Sequence, residues 1–346
     1  MVMTKRKANS QDVAERAGVS RTTVSYVLNG RTDVAIPEET QARVRKAAQE
    51  LSYRSNRLAN GVLRGQTKLF GVVVPHLYNS FYSQILQGVH EECDRHGYTI
   101  LLTHSRQDQS AEQQRVGLLM EYRVDALVCV TYLRSPTEGI SWATETQQSR
   151  LPCVVLDCLP DDNASLDGVA SDDKAGAHAA VTHLFRLGHR RIGHLVGDQR
   201  VNTGADRYDG YRRALRDAGL ALDERIVTGR NYQREDGREG MQRLLALDQP
   251  PTAIFAGNDD IAEGALEALQ ERGLDAPRDI ALVGYGNLEA SRGFGLTTVD
   301  QDPAEMGRRA VQCVLARLMN PDLPRQRVLV PTRLIVRRTC GASRAA

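Results

Sequence analysis

The chain has 346 residues, which at roughly 150 residues per domain predicts two or three folding units. A hydrophobic fraction of 41% and a charged fraction of 25% exclude a largely disordered chain. We find no apolar run that could cross a bilayer and no signal peptide, so we expect a cytoplasmic protein. Residues 1–68 carry 13 Lys and Arg against 6 Asp and Glu, whereas the rest carries 32 against 37, a distribution that favours a nucleic-acid-binding head on a separate body.

Three short helices are predicted within residues 1–54. Asn9 can cap the first helix and Gly18 can end it, because glycine tolerates the left-handed conformation that closes many helices. Ser20 can cap a second helix, whose apolar residues recur at helical spacing until Asn29. Pro37 suits the first turn of a third helix. A helix, a tight turn and another helix together predict a helix-turn-helix.

Several polar residues of the second helix have no role in the core of such a small head. They are Arg21, Thr22, Ser25, Tyr26 and Asn29. A helix that enters the major groove reads bases with its N-terminal residues, and an arginine there can form two hydrogen bonds with guanine. The turn alone does not exclude the alternative, a helical hairpin with a solvated polar face.

The run DVAERAGVSRTTVSYVLN, residues 12–29, resembles the DNA-binding signature of the lactose/galactose-repressor (LacI/GalR) family, D-V-A-x-x-A-G-V-S-x-x-T-V-S-x-V-L-N. The resemblance continues through Tyr53, Asn56 and Lys68 into residues 71–75 and recurs to the C-terminus. It implies a transcription regulator, most often a repressor, that binds a palindromic operator as a homodimer.

The resemblance also implies which residues contact DNA. The family's base-reading positions fall on Arg21 and Thr22, with a further contact at Tyr26. Tyr26 cannot form the two-bonded contact with guanine that an arginine makes at that place. We therefore expect either a different base in the operator half-site there or a loss of discrimination, of the order of 1–3 kcal/mol per two-bonded contact. Ser10 replaces an apolar residue that is usual in the family. The predicted DNA-binding set is Ser20, Arg21, Thr22, Thr23, Ser25, Tyr26, Asn29, Asn56, Ala59 and Val62.

Residues 55–67 resemble the family's hinge helix, which forms when two heads pair on DNA and pushes an apolar side chain into the minor groove. About ten residues that include Asn60 and Gly61 are too short to be helical alone, where roughly 12–15 are needed. The inserted side chain, usually leucine, aligns with Val62, and Leu63 follows it. We therefore expect a head of residues 1–54, a hinge of 55–67 and a body of 68–346.

The body alternates short strands with helices, which predicts parallel sheets. Strands are expected at 69–74, 99–103, 126–131, 154–157, 191–196, 226–229, 253–256 and 280–285, and helices at 83–96, 111–122, 206–218, 236–246 and 261–272. The pattern starts again near Arg191, so we expect two consecutive, doubly wound lobes. The predicted fold class is α + α/β: a three-helix head, a hinge helix and a two-lobed body that resembles periplasmic sugar-binding proteins.

Polar and aromatic residues follow the predicted strands, where parallel sheets bind ligands. The predicted effector-binding set is Tyr78, Phe81, Tyr82, Tyr132, Asp157, Arg207, Tyr232, Asn258 and Asn287. By resemblance, Arg207 is the family's effector-clamping arginine, so Arg207→Ala is expected to abolish the effector response and leave effector-free behaviour nearly intact. Asp259 is expected to cap a helix, and Trp142 to rest on the lobe surface.

The ligand is expected to be a sugar or a related metabolite. Many sugar-sensing members of the family end the strand near Tyr285 with an aspartate that binds hydroxyls, whereas this chain has Gly286 and Asn287, so that contact is either missing or moved to Asn287. A nucleobase or nucleoside corepressor stays open as an alternative, as does DNA binding without an effector. An enzyme is not favoured, because the chain lacks a nucleophile elbow, a Walker loop and a complete dinucleotide fingerprint. We expect no cofactor or metal. The six scattered cysteines are expected to be reduced core residues.

Overall fold

The computed structural model describes residues 8–29, 34–54, 65–131, 140–160 and 166–342. The chain divides into two compact units, Met1–Thr67 and Lys68–Ala346. Three helices form the described part of the first unit: α1 (Ser10–Ala17), α2 (Arg21–Leu28) and α3 (Glu38–Glu50). They enclose one small apolar core formed by Val13, Ala14, Ala17, Val24, Val27, Val44, Ala47 and Ala48.

The helix boundaries of the first unit follow from local capping interactions. Asn9 caps α1 and forms a capping box with Asp12, and Gly18 ends the helix at a φ of 65°. The Ser20 hydroxyl accepts from the backbone N–H of Thr23 and so caps α2. These boundaries confirm the predicted helix-turn-helix.

The second unit contains two lobes, each built on one sheet. The first lobe has β1 (Leu69–Val74), β2 (Thr99–His104), β3 (Ala126–Val130), β4 (Cys153–Leu156) and β5 (Asp167–Ser171), with α4 (Ser80–Arg95), α5 (Gln109–Glu121) and α6 (Ala143–Gln148). The second lobe has β6 (Ile192–Leu195), β7 (Val227–Thr228), β8 (Ala253–Ala256), β9 (Ala281–Tyr285) and β10 (Thr297–Asp300), with α7 (Asp173–Arg186), α8 (Asn202–Asp217), α9 (Arg234–Leu245), α10 (Asp259–Glu271) and α11 (Glu289–Gly293).

The C-terminal part of the chain returns to both lobes. It comprises α12 (Pro303–Met319), β11 (Arg327–Val330) and β12 (Arg333–Ile335). Residues of α12, including Val311 and Val314, are buried in the core of the first lobe, and β11 extends its sheet, whose order is β11-β5-β4-β3-β1-β2. The second sheet has the order β12-β10-β9-β8-β6-β7, and β12 runs antiparallel to β10.

The two predicted doubly wound lobes are confirmed, but they are not formed by two consecutive stretches of the chain, and β12 adds one antiparallel strand to the second sheet. In the described residues the chain passes between the lobes at three places, after β5, after β10 and after β11. Hydrogen bonds join the three crossing segments: Asp172 N donates to the Val330 carbonyl at 3.0 Å, and Gln301 Nε2 donates to Ser171 Oγ at 2.8 Å. The pairing of β11 with β5 joins residues about 160 positions apart in the chain, and local sequence patterns do not indicate such a pairing.

The expected surface position of Trp142 was also wrong, because this residue is fully buried in the first lobe. Its indole Nε1–H donates to the buried carboxylate of Glu112 at 2.7 Å, and the same oxygen accepts from Thr131 Oγ1 at 2.6 Å. An indole can be buried at little cost only where its N–H finds such a partner. The six cysteines are all buried free thiols, as predicted.

His194 lies on β6 inside the second lobe, with its Nδ1 2.8 Å from the Phe255 carbonyl oxygen. Burial lowers the pKa of His194 from 6.5 to about 4. The histidine takes up a proton near pH 6.5 in the unfolded chain but only near pH 4 in the folded protein. As the pH is lowered from 6.5 to 4, the free energy of unfolding should therefore decrease by about 3 kcal/mol. We expect His194→Asn, which keeps a donor for Phe255, to flatten this pH dependence in chemical denaturation of the full chain. An equally steep dependence in the variant would contradict the prediction.

Candidate DNA interface and effector cleft

The N-terminal half of α2 presents polar side chains to solvent. Ser20, Arg21, Thr22 and Ser25 are exposed, whereas Thr23, Tyr26 and Asn29 are half-buried. The buried side of the helix is apolar, through Val24 and Val27. The predicted contacts Asn56, Ala59 and Val62 lie outside the described residues. A helix with this division of its faces can lie in a major groove while its apolar side holds it to the head.

The second candidate site is a small cavity between the two lobes, with a volume of about 50 Å³. Loops at the carboxyl ends of β1 to β4 line one side of it, and the start of α8 and the loop after β7 line the other. Its lining residues are Pro75, Tyr82, Gln107, Thr131, Asp157, Cys158, Val201, Asn202, Thr203 and Tyr232. Three members of the predicted effector set, Tyr82, Asp157 and Tyr232, are thus brought together.

Two oxygen atoms at this cavity are shielded from solvent and make no hydrogen bond: Oδ1 of Asp157, from the first lobe, and Oδ1 of Asn202, from the second. Asp157 has a φ of 69°, a left-handed conformation that is uncommon outside glycine. Burial, helped by the negative charge of Asp173 and opposed by Arg207, raises the pKa of Asp157 to about 8. Buried acceptors without partners are rare, so a ligand that supplies donors would gain most here.

The N-terminus of α8 also faces the cavity. Val201 occupies its N-cap position and provides no side-chain hydrogen bond, so the first N–H groups of this 16-residue helix have no side-chain cap. Such a terminus attracts oxygen atoms that carry partial or full negative charge. The cavity therefore offers backbone donors beside the two unpaired acceptor oxygens.

Arg207 is 6% exposed and lies behind the cavity lining rather than on it. Its Nε donates to Asp173 Oδ1 at 3.3 Å, and its Nη1 donates to the Gly257 carbonyl at 2.8 Å. The guanidinium lies 4.1 Å from the Tyr285 ring centroid and 5.7 Å from that of Tyr232. In this arrangement Arg207 supports Tyr232 and pairs with a buried acid.

The other predicted effector residues are not at the cavity. Tyr78 is 87% exposed, and Phe81 packs against the core of the first lobe. The Asn258 side chain caps α10, a role expected for Asp259, whereas Asp259 accepts from Thr298 Oγ1 at 2.5 Å and from Leu288 N at 2.8 Å. Asn287 Oδ1 accepts from Arg337 at 2.6 Å. Tyr132 lies outside the described residues.

Gln107 and Thr203 line the cavity and were not predicted. Gln107 follows β2 and has a φ of 60°, so a left-handed turn directs this residue to the cavity. The Thr203 hydroxyl lies 3.2 Å from the Tyr232 hydroxyl. Neither position carries a sequence signal of its own, because glutamine and threonine are common on protein surfaces.

No helix in the described ranges combines the length and the apolar character needed to span a membrane. Among the same residues, no group of three or more His, Cys, Asp and Glu side chains could hold a metal ion.

Residues 10–56 match the family described as bacterial regulatory proteins, lacI family, and residues 181–340 match the periplasmic binding protein-like domain. The HTH-type transcriptional repressor PurR of Haemophilus influenzae (strain PittEE) is 34% identical over 339 residues, which cover 96% of this chain and 98% of that protein. PurR of Pectobacterium carotovorum subsp. carotovorum is 34% identical over 336 residues, 96% of each chain.

Solved structures show the same similarity. The lac repressor dimer bound to operator and the anti-inducer ONPF is 28% identical, with a TM-score of 0.86 over 97% of this chain and 100% of that one. A complex of the transcriptional regulator CelR with cellobiose is 28% identical, with a TM-score of 0.72 over 96% of this chain and 99% of that one.

Proposed function

The chain belongs to the lacI family of bacterial regulatory proteins, and on that premise we propose which residues read its operator and which bind its effector. It is a DNA-binding transcription regulator and not an enzyme, as its repressor relatives indicate. We assign base reading to Arg21 and Thr22 at the start of α2 and effector binding to the lining of the interlobe cavity. The observation that carries the second assignment is the pair of shielded, unpaired oxygens on Asp157 and Asn202.

We further propose that the protein binds a palindromic operator as a homodimer, in the cytoplasm where that DNA lies. A helix-turn-helix reads one half-site, so two heads related by a two-fold axis fit two half-sites about one helical turn apart. The lac repressor, to which this chain is similar, has been seen as a dimer on its operator. Residues 1–54 act as the head, 55–67 as the hinge and 68–346 as the body in this proposal.

The proposed effector is a polyhydroxylated, sugar-like molecule. Hydroxyl groups supply the donors that the Asp157 and Asn202 oxygens lack, and the rings of Tyr82 and Tyr232 offer apolar faces for a ring ligand. The similarity to CelR, which was solved with cellobiose, supports this class. The cavity, at about 50 Å³, is far below the roughly 300 Å³ of typical ligand sites, so this proposal requires the cavity to widen when the ligand binds.

The test is a thermal-shift screen of the full chain against monosaccharides, disaccharides, nucleobases and nucleosides, followed by an operator titration with each hit. A saccharide that both raises the melting temperature and changes operator affinity supports the proposal, since a ligand shifts this equilibrium only through different affinities for the two states. A nucleobase or nucleoside hit with the same two effects would assign the ligand to that class instead. Absence of any hit would favour DNA binding without an effector.

Arg21→Ala should reduce operator affinity by about 1–3 kcal/mol and remove the preference for one base in each half-site. The matched control is Arg45→Ala, which removes an exposed arginine of α3 and should leave base preference unchanged. Selection from a duplex library with randomised half-sites, at fixed salt, measures both effects. An unaltered preferred sequence for Arg21→Ala would rule out the proposed reading face.

A further inference from the structure

Ser10 and Arg21 lie at the first positions of two neighbouring helices, α1 and α2. Arg21 Nε donates a hydrogen bond to Ser10 Oγ at 3.3 Å. Ser10 thus puts a hydroxyl acceptor next to the side chain to which we assign base reading.

Both partners are held on fixed backbone. The Asn9 side chain accepts from the N–H groups of Gln11 and Asp12, and Asp12 Oδ2 accepts in return from Asn9 N at 2.8 Å, which fixes the turn that carries Ser10. On α2, Ser20 Oγ accepts from Thr23 N at 3.0 Å and fixes the turn that carries Arg21. The bond thus joins two capped helix ends through a single flexible side chain.

Because Arg21 donates to Ser10 through Nε, the terminal nitrogens of its guanidinium remain available for another contact. An arginine has five N–H donors, one on Nε and two on each terminal nitrogen. When Ser10 accepts from Nε, the two terminal nitrogens still present a parallel pair of donors. That pair matches the O6 and N7 acceptors of guanine in the major groove.

We propose that Ser10 is a positioning residue for operator reading: it fixes the Arg21 side chain so that the terminal edge of the guanidinium meets a guanine. This inference rests on the proposed role of Arg21. A long arginine side chain loses much rotamer freedom when it is ordered, so a partner that orders it before DNA arrives increases the preference for the correct base. Ser10 acts only through Arg21 and contributes no base contact.

The experiment compares five full-length proteins: wild type, Ser10→Ala, Ser10→Thr, Arg21→Ala and the double variant Ser10→Ala/Arg21→Ala. Each is used to select duplexes from a library with randomised half-sites, and affinities for the preferred duplex and its single-base variants are then measured at one salt concentration. Melting temperatures are recorded alongside. Ser10 is not the cap of α1, so these are expected to stay close to the wild-type value.

Ser10→Ala should keep the preferred base but reduce discrimination at that one position by about three- to tenfold, the size of one modest hydrogen bond. Ser10→Thr, which retains the hydroxyl, should restore discrimination, and the double variant should match Arg21→Ala. If Ser10→Ala weakened the affinity for every sequence equally, Ser10 would be a phosphate contact and the inference would be overturned. Unchanged discrimination in Ser10→Ala would overturn it as well. If Arg21→Ala alone keeps every base preference, the proposed reading face itself fails, whatever Ser10 does.

Discussion

Asp157→Asn should make the full chain more stable at pH 7, by about 2–4 kcal/mol, although the substitution removes a residue of the proposed effector site. The pKa of this carboxyl is 3.8 in the unfolded chain and about 8 in the fold. A carboxyl whose pKa is raised by folding destabilises the fold progressively as pH rises from 3.8 to 8, because the unfolded chain releases the proton first. Three pKa units correspond to about 4 kcal/mol, and the half-buried position of Asp157 reduces that figure.

Chemical denaturation at pH 5 and pH 7, followed by circular dichroism, measures this effect. The stability difference between Asp157→Asn and wild type should grow between the two pH values, and asparagine suits the left-handed backbone at this position. Asp322→Asn, which changes an exposed carboxylate, is the control and should show no such growth. A difference that is constant with pH would contradict the prediction. Binding of any saccharide found by the thermal-shift screen should weaken in the same variant.

Arg207→Ala should destabilise the body by about 3–5 kcal/mol, the usual result when one partner of a buried ion pair is removed. The side chains of Arg207 and Asp173 are 8% and 5% exposed, so the variant leaves the Asp173 carboxylate buried without its counter-charge. Loss of the guanidinium also removes a donor from the Gly257 carbonyl. The sequence-based expectation that effector-free behaviour stays nearly intact is not supported by these contacts.

The double variant Arg207→Ala/Asp173→Asn tests this explanation, because it removes the unpaired charge as well. It should recover part of the stability lost in Arg207→Ala, as judged by urea denaturation at neutral pH. Arg207→Lys keeps a positive charge with fewer fixed donors and should fall between wild type and Arg207→Ala. A loss below about 1 kcal/mol for Arg207→Ala would mean that the ion pair is not supporting the fold.

The head could be predicted nearly to the residue because its signals are local. Asn9, Gly18 and Ser20 set helix ends within a few residues of themselves, and the buried positions recur at helical spacing. The strands of the body up to β9 were predicted for the same reason, apart from β5. The helices α6, α7, α11 and α12 were not predicted. The packing partners of α12 in the first lobe, among them Val89 and Val169, lie far earlier in the chain, and no local pattern records that pairing.

The lining of the proposed effector cavity was predicted in part. Asp157, Tyr82 and Tyr232 could be found because they follow strands of the two sheets, and the carboxyl ends of parallel strands are where such sheets bind ligands. Asn258 and Asn287 also follow strands, but their side chains satisfy a helix end and Arg337 instead. Position after a strand thus brings a side chain near the cleft, while its local hydrogen bonds decide whether it faces the cavity.

The three crossings between the lobes determine the order in which the body can be completed during synthesis. The first lobe needs α12 and β11 for its core and its sheet, although its other strands end at Ser171. Residues 172–300 supply every helix and all but one strand of the second lobe. On a ribosome that adds roughly 5–20 residues per second, the lobe that begins later in the chain is therefore nearly complete while the earlier lobe still exposes the apolar surface that α12 will cover.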